Sequence, residues 1–487
     1  MRCFTAGTKG GIRMKTDTVY SLGKSLRSAE ETALSLTEKS LAKIRERNEE
    51  IGAFITVLEE SALKSARKFD ALNETEKWRS PLSGIPVAVK DNLMLAGARC
   101  TCGSKMLENF ISPYDATVIT RLKDAGAIIV GKTNMDEFGM GSTGENSAFY
   151  PTVNPYDPSR AAGGSSSGSC AAVAFGMVPM ALGSDTGGSV RLPACHCGVV
   201  GLRPTYGAVS RFGLTAFCSS MDTVGPITKT VGDNAAVYKA IVGKDPQDAT
   251  SRVFDFSVMG KISDLKIGIL SELMGEGIRA EVKNAVKDAA NKFASLGASV
   301  EYVSVPEIRG ALAAYYIISS AEASSNLARF DGVRYGHRTK ECGNIEELYQ
   351  KSREEGFGKE VKRRILLGTY ALTKENKEAY YERSMLYKKK LCMALEGAFL
   401  QYDILLCPTA PDTAPLVGQF KTPEEMYATD HCTASMSLAG LPALCMPCGK
   451  DERGLPIGMQ LVGRPFSEGL LYAVGMLYEG SLEDGTV

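Results

Sequence analysis

The chain has 487 residues, 44% of them hydrophobic and 23% charged, with 56 basic and 56 acidic side chains. That balance suits a protein with a large buried core and excludes both a disordered polyelectrolyte and a basic nucleic-acid-binding surface. No apolar run approaches the roughly 18 residues of a membrane span, and thirteen scattered cysteines with no secretory leader predict a reduced, cytoplasmic protein.

In chain order, residues 1–13 carry Arg2, Lys9 and Arg13 without an apolar segment and read as a disordered tail, with Met14 as an alternative start. Residues 18–75 read as helices. Ser28-Ala29-Glu30-Glu31 has the form of a helix N-terminus, and apolar residues recur at three and four up to residue 70. Pro81 and Ser83-Gly84 end that pattern, and Ile85-Pro86-Val87-Ala88-Val89-Lys90 reads as a short buried strand. An amphipathic helix over 116–125, a turn at Gly126 and a strand over 127–130 follow. This rhythm implies βαβ units on a parallel or mixed sheet.

Next comes a Gly/Ser run, Gly163-Gly164-Ser165-Ser166-Ser167-Gly168-Ser169, which opens a helix of small residues over 168–176. Val178–Leu182 reads as a strand feeding a second Gly/Ser turn, Gly183-Ser184-Asp185-Thr186-Gly187-Gly188-Ser189-Val190-Arg191. Further strands at 265–270, 299–305, 404–407, 444–447 and 457–462 alternate with helices near 281–296, 377–398 and 469–479. The charged stretch 339–364 reads as a peripheral helical lobe. With no internal repeat and no long linker, residues 14–487 are expected to form one domain.

Several motifs fail on inspection. Gly163–Gly168 has the gap of a P-loop, but the required Lys-Ser/Thr is replaced by Ser169-Cys170. Gly139-Met140-Gly141-Ser142-Thr143-Gly144 matches a dinucleotide fingerprint literally, yet it follows Met135-Asp136-Glu137-Phe138 and not a clean strand. Cys100-Thr101-Cys102 and Cys195-His196-Cys197 are spaced too tightly for a zinc knuckle and lack a second pair, so no metal is expected.

The two Gly/Ser segments put Ser165 and Ser189 24 positions apart in a chain with three histidines. None of His196, His337 and His431 sits in a nucleophile motif. A serine nucleophile served by a lysine fits this composition, provided the lysine is neutral. In the second turn, glycines permit unusual dihedrals, and consecutive N–H groups can converge on an oxyanion. On this turn alone, a nucleophilic Ser189 and an ordinary loop serine are equally good readings.

Taken together, Lys90 within Gly84–Asp91, the Gly163–Ser169 run and the Gly183–Arg191 turn resemble the amidase signature family, most densely between about residues 80 and 240. The resemblance implies an α/β fold, a large mixed β-sheet covered by helices on both faces. It makes 80–240 the catalytic core and 310–400 a helical insertion contributing to the substrate pocket. By the same resemblance Ser189 is the nucleophile, Ser165 the bridging serine in a cis peptide, Lys90 the general base, and Thr186, Gly187, Gly188 and Ser189 the oxyanion hole. Ser167 stands where the family often has Gly, a change that a negative φ would tolerate. Chemically, a base useful at neutral pH needs a lysine pKa lowered from its usual ~10.4 to about 7, at a cost of about 4–5 kcal/mol. A strand buried through Ile85, Val87 and Val89 can supply the desolvation. Asp91, the next residue, should face the other side of the sheet, and Asp185 should brace the turn.

The downstream half resembles the branch of the family that serves as glutaminase subunits of tRNA-dependent amidotransferases, through Ser324–Gly332, Glu354–Arg364 and residues 201–215. That likeness implies glutamine hydrolysis to supply ammonia for amidating Glu-tRNA(Gln) or Asp-tRNA(Asn). It also implies a heterotrimer with two partner subunits, tRNA reached through a partner, and ATP and Mg²⁺ used in that partner and not here. Tyr315, Arg364 and Asp430 would line the glutamine pocket, Arg364 taking the α-carboxylate and Asp430 the α-ammonium. Surface ion pairing is the competing reading for these residues, and Arg363 competes with Arg364. The rival function is a stand-alone amidase for another carboxamide.

Overall fold

The structure, a computed structural model, describes residues 17–258 and 265–481. The expectation of a disordered 1–13 tail therefore lies outside the described residues.

Eleven strands form one sheet: β1 (Phe54–Val57), β2 (Pro86–Lys90), β3 (Ile128–Thr133), β4 (Met180–Asp185), β5 (Val200–Arg203), β6 (Thr223–Thr228), β7 (Lys266–Leu270), β8 (Ser299–Val303), β9 (Ile404–Pro408), β10 (Ala443–Lys450) and β11 (Pro456–Val462). Their order is β1-β3-β2-β4-β6-β5-β10-β11-β9-β7-β8. Pairs β3-β2, β2-β4, β9-β7 and β7-β8 are parallel and the others antiparallel, so the sheet is mixed.

Alternation along the strands divides the core between two faces. Val87, Val89, Met180, Leu182, Ile267, Ile269, Leu444 and Met446 pack on one face with residues of helices Thr117–Asp124, Val231–Ile241, Ala280–Ser295 and Glu468–Ser481. Ala88, Ala181 and Cys445 point to the other, where the small-residue helix Ser167–Ala174 and the helix Arg191–Cys197 lie. Further along that side, Leu405 and Cys407 pack with helices Ala311–Asn326 and Arg383–Phe399. Helices thus cover both faces, and Lys90, in step with Ala88, belongs to the second.

The structure corrects several boundaries. Ser28–Glu31 is a turn between helices Val19–Arg27 and Ala33–Ile51; the helix start is Thr32, whose hydroxyl accepts the Ser35 N–H in a capping box. Residues 18–75 are not wholly helical, because Phe54–Val57 pairs antiparallel with β3. The strands at 200–203 and 223–228 are additions to the expected set, since Gly201 interrupts the first apolar pattern and Gly225-Pro226 the second. Gly183, Ser184 and Asp185 belong to strand β4, shortening the second turn to Thr186–Val190. The 339–364 stretch forms helices Ile345–Gly356 and Lys359–Leu372, but it is not purely peripheral, because Glu360 and Arg364 are buried.

Candidate active site

Lys90 ends β2 with its side chain entirely buried. Its Nζ lies 2.7 Å from Ser165 Oγ, 2.9 Å from Ser166 Oγ, 3.0 Å from Ser184 Oγ and 3.2 Å from the Ser184 carbonyl. No carboxylate among the described residues forms an ion pair with it. Burial therefore dominates and pushes its pKa down to about 7, while the more distant Asp136 and Asp185 pull it partly back.

The surrounding hydrogen bonds indicate where protons can go. Ser166 Oγ donates to the Ser184 carbonyl at 3.1 Å and accepts from the Ser184 N–H at 3.3 Å, leaving one lone pair for Nζ. Ser184 Oγ already accepts from Asn92 Nδ2 at 2.9 Å. Ser165 Oγ has Lys90 Nζ as its one partner among the described residues. A neutral amine, which donates two protons and accepts one, can therefore receive the Ser165 proton; an ammonium cannot.

The Gly/Ser run is held from both sides. Gly163 N–H donates to Thr143 O at 3.0 Å and Gly164 N–H to Ser142 O at 2.8 Å, while the Ser165 carbonyl accepts from Asp136 N–H at 3.2 Å. The Gly164–Ser165 peptide is cis. Ser167 opens the following helix, where φ is negative, and its hydroxyl is buried without a hydrogen-bond partner among the described residues.

Asp185, at the end of β4, braces the second turn. Its carboxylate accepts from Val190 N–H at 3.2 Å and sits 3.0 Å from both Arg191 Nε and Arg203 Nη1. Burial raises its pKa, but the two guanidiniums more than reverse that and hold the carboxylate ionised. Gly188 has φ +151, and a Cβ there would run into Thr433. The N–H groups of Thr186, Gly187, Gly188 and Ser189 make no hydrogen bond among the described residues, nor does Ser189 Oγ. These are free donors beside a free hydroxyl.

Ser189 is joined to the serine run by Ser166 N–H, which donates to its carbonyl at 2.9 Å. No hydrogen bond links Ser165 Oγ to Ser189 Oγ. The structure thus joins Lys90 directly to Ser165, and Ser189 to the same loop through the backbone.

The three residues expected to bind substrate come from separate elements. Tyr315 lies on helix Ala311–Asn326, its phenol ring against Gly187 of the turn. Arg364, on helix Lys359–Leu372, is buried and pairs with Glu360, its Nε 2.7 Å from Oε1. Its carbon Cζ lies 4.3 Å from the Tyr316 ring centre and 4.6 Å from that of Tyr427, and its Nη1 is buried without a partner. Arg363 pairs with the other oxygen of Glu360 and is half-exposed. Asp430 accepts from Ser142 Oγ at 2.9 Å and Tyr316 Oη at 2.7 Å. Burial pushes its pKa up to about 6, against these hydrogen bonds and the field of Arg364.

Sequence reasoning missed several participants. Ser166 and Ser184 also contact Lys90, at 2.9 and 3.0 Å against 2.7 Å for Ser165; adjacency to the chosen residues was their one signal. Tyr316, not Tyr315, bonds Asp430. Asp136 carries its carboxylate to Gly144 N–H (3.0 Å) and Asn146 N–H (2.9 Å), and burial raises its pKa to about 7. Asp222 accepts from Thr186 Oγ1 at 2.6 Å, tying the turn to β6.

Asp91 turns away from Lys90 to pair with Lys132 at 3.1 Å. Cys100, Cys102, Cys195 and Cys197 are buried free thiols. His196 is buried, with burial lowering its pKa to about 4; His337 pairs with Glu355. Neither these two nor His431 contacts Lys90, Ser165 or Ser189. Among the described residues, no helix is long and apolar enough to cross a membrane.

The sequence pattern of the family described as Amidase matches residues 35–472. A glutamyl-tRNA(Gln) amidotransferase subunit of Agathobacter rectalis is 47% identical over 472 residues, covering 96% of this chain and 94% of that protein. The protein of the same name from Symbiobacterium thermophilum is 48% identical over 459 residues, covering 93% and 94%. Among solved structures, the equivalent glutamyl-tRNA(Gln) amidotransferase subunit from Thermotoga maritima superposes with a TM-score of 0.79 at 40% identity, covering 96% of this chain and 94% of that one. The 6-aminohexanoate cyclic dimer hydrolase superposes with a TM-score of 0.82 at 26% identity, covering 97% and 98%.

Proposed function

This chain belongs to the amidase signature family, and from that premise we propose that it is the glutaminase subunit of a tRNA-dependent amidotransferase, supplying ammonia for converting Glu-tRNA(Gln), or Asp-tRNA(Asn), to its amide. The observation that carries the reading is the buried, carboxylate-free Lys90 amine at 2.7 Å from Ser165 Oγ, beside a turn with an unbonded serine hydroxyl and four unbonded N–H groups.

In this reading Lys90 takes the Ser165 proton while Ser165 takes that of Ser189. Ser189 Oγ then attacks the glutamine side-chain carbonyl, and the tetrahedral oxyanion forms against the N–H groups of Thr186–Ser189. The carbon–nitrogen bond breaks, the stored proton returns to the leaving nitrogen, and ammonia departs. Water, activated through the same Ser165–Lys90 pair, cleaves the acyl ester to release glutamate.

Substrate selection follows from charge. The unpartnered Nη1 of Arg364 is suited to an α-carboxylate and Asp430 to an α-ammonium, and both meet Tyr316, Arg364 over its ring and Asp430 at its hydroxyl. Relatives named for an amidotransferase support a complex with other subunits. We assign the ATP and Mg²⁺ chemistry and the tRNA contact to one partner subunit of a cytoplasmic heterotrimer; the zero net charge of this chain agrees with leaving tRNA to that partner.

The test is ammonia release from glutamine by the chain alone and with the partner subunits. Glutaminase activity that rises on assembly is expected. Rapid hydrolysis of unrelated amides by the isolated chain, with no glutamine turnover in the complex, would sink the assignment.

A further inference from the structure

Helix Lys359–Leu372 carries Arg364 but starts at Gly358, which has no side chain with which to cap it. Its first backbone donor is served from elsewhere in the chain: Gly358 N–H donates to Glu137 Oε2 at 2.8 Å. The other oxygen, Oε1, accepts from Ser104 Oγ, which also lies 3.2 Å from the Gly356 carbonyl. A buried carboxylate thus receives the N-terminus of the helix, where the helix dipole favours negative charge. The fit is close, because a Cβ on Gly358 would meet Glu137 Oε2.

The same short stretch holds the catalytic loop. Asp136 N–H donates to the Ser165 carbonyl at 3.2 Å, Glu137 N–H to Asn146 O at 3.2 Å and Phe138 N–H to Cys102 O at 2.8 Å. The Phe138 ring packs on Phe330 at 5.0 Å and Phe357 at 5.7 Å, bracing the residue just before Gly358. Adjacent residues therefore grip the Lys90–Ser165 relay and the helix that presents Arg364. Among the described residues, Lys362 is the one ionised side chain whose field acts on Glu137, and burial raises that carboxyl's pKa to about 7.

Resting on the glutaminase reading, we propose that Glu137 is a positioning residue that latches the Arg364 helix to the serine loop, fixing the glutamine α-carboxylate relative to Ser189. The role is distinct from folding support because it predicts where the kinetic loss falls. In the assembled complex, Glu137→Ala should raise KM for glutamine roughly tenfold with a smaller change in kcat. Glu137→Gln, which keeps an acceptor for Gly358 N–H, should recover most of the loss. Ser104→Ala removes the hydroxyl that holds the other carboxylate oxygen, without adding bulk beside Glu137. Combined with Glu137→Ala it should add little to either change alone.

Amide hydrogen exchange over residues 358–364 should accelerate in Glu137→Ala and not in Glu137→Gln. The latch is overturned if kcat falls while KM holds, if Gln is as damaging as Ala, or if the two single changes add fully. Absence of glutaminase activity in the wild-type complex would instead overturn the functional reading itself, so the two failures are separable.

Discussion

Lys90 and Lys132 sit on neighbouring strands, Lys90 opposite Thr133 and Val89 opposite Lys132, and both are fully buried, yet their amines have opposite characters. Burial pulls both pKa values down. At Lys132 the effect is more than offset by Cys100 and by Asp91, 3.1 Å away, so the pKa ends above its ordinary value. At Lys90 the nearest groups are hydroxyls and a carbonyl, and the pKa falls to about 7. One step in register separates an ion-paired ammonium from an amine that burial brings close to neutrality.

That difference has a stability cost. Folding depresses the Lys90 pKa, so between about pH 7 and 10.5 the unfolded chain holds a proton that the folded chain has released. The penalty is complete below pH 7 and shrinks as pH rises through that window. Lys90→Met should therefore abolish glutaminase activity yet stabilise the fold by about 1–3 kcal/mol near neutral pH, after allowing for the lost partner of Ser165. Urea unfolding at pH 7 and pH 10 should show the gain diminishing at the higher pH; an equal gain at both would contradict it.

The activity profile should reflect the same proton. Glutaminase kcat/KM is expected to climb with pH through about 7 as Lys90 becomes neutral. Asp136, also near 7, interacts with Lys90, so the observed value belongs to the pair. Removing that carboxylate removes the strongest pull that keeps Lys90 protonated. Asp136→Asn should thus move the acid limb to lower pH, by up to about one unit. A limb that stays in place would argue against the coupling.

Ser189→Ala should eliminate glutamine-dependent tRNA amidation while leaving the ammonia-dependent reaction of the complex intact. Ser165→Ala should lower glutamine turnover by roughly 10²–10⁴-fold, the range for a lost proton-transfer group. Loss of the ammonia-dependent reaction in Ser189→Ala would mean the turn matters for assembly.

Arg364→Lys keeps the charge that Glu360 needs but gives up the planar fork. The expected result is a rise of about 10–100-fold in KM for glutamine, a loss of about 1.4–2.7 kcal/mol in binding. Arg363→Ala, on the exposed side of Glu360, should change KM little. Equal effects from both would favour a surface ion-pair role for this cluster.

Much of this was legible in the residues. Val87, Val89, Met180, Leu182, Ile267 and Ile404 announce strands because apolar β-branched or bulky side chains recur in short runs between turn residues. Two Gly/Ser segments, a lysine ending a buried strand and three histidines pointed to serine–lysine chemistry, and the family resemblance singled out Lys90, Ser165 and Ser189 for it. The β5 and β6 strands escaped because Gly201, Gly225 and Pro226 carry no alternation to read. Ser166, Ser184, Tyr316, Asp136 and Glu137 escaped because their roles depend on which residues from distant segments face them.

By itself the sequence determined which groups are present: a lysine with two glycine-flanked serines, an α/β alternation, and a net charge of zero. Tertiary structure decided what those groups are. Whether a lysine is a cation or a base depends on the solvent removed and the carboxylates admitted around it, and strand register, with loops closing over it from 75 to 94 positions away, sets both. Helix placement likewise turned Arg364 inward and left Arg363 outside, because adjacent positions on a helix face different surroundings.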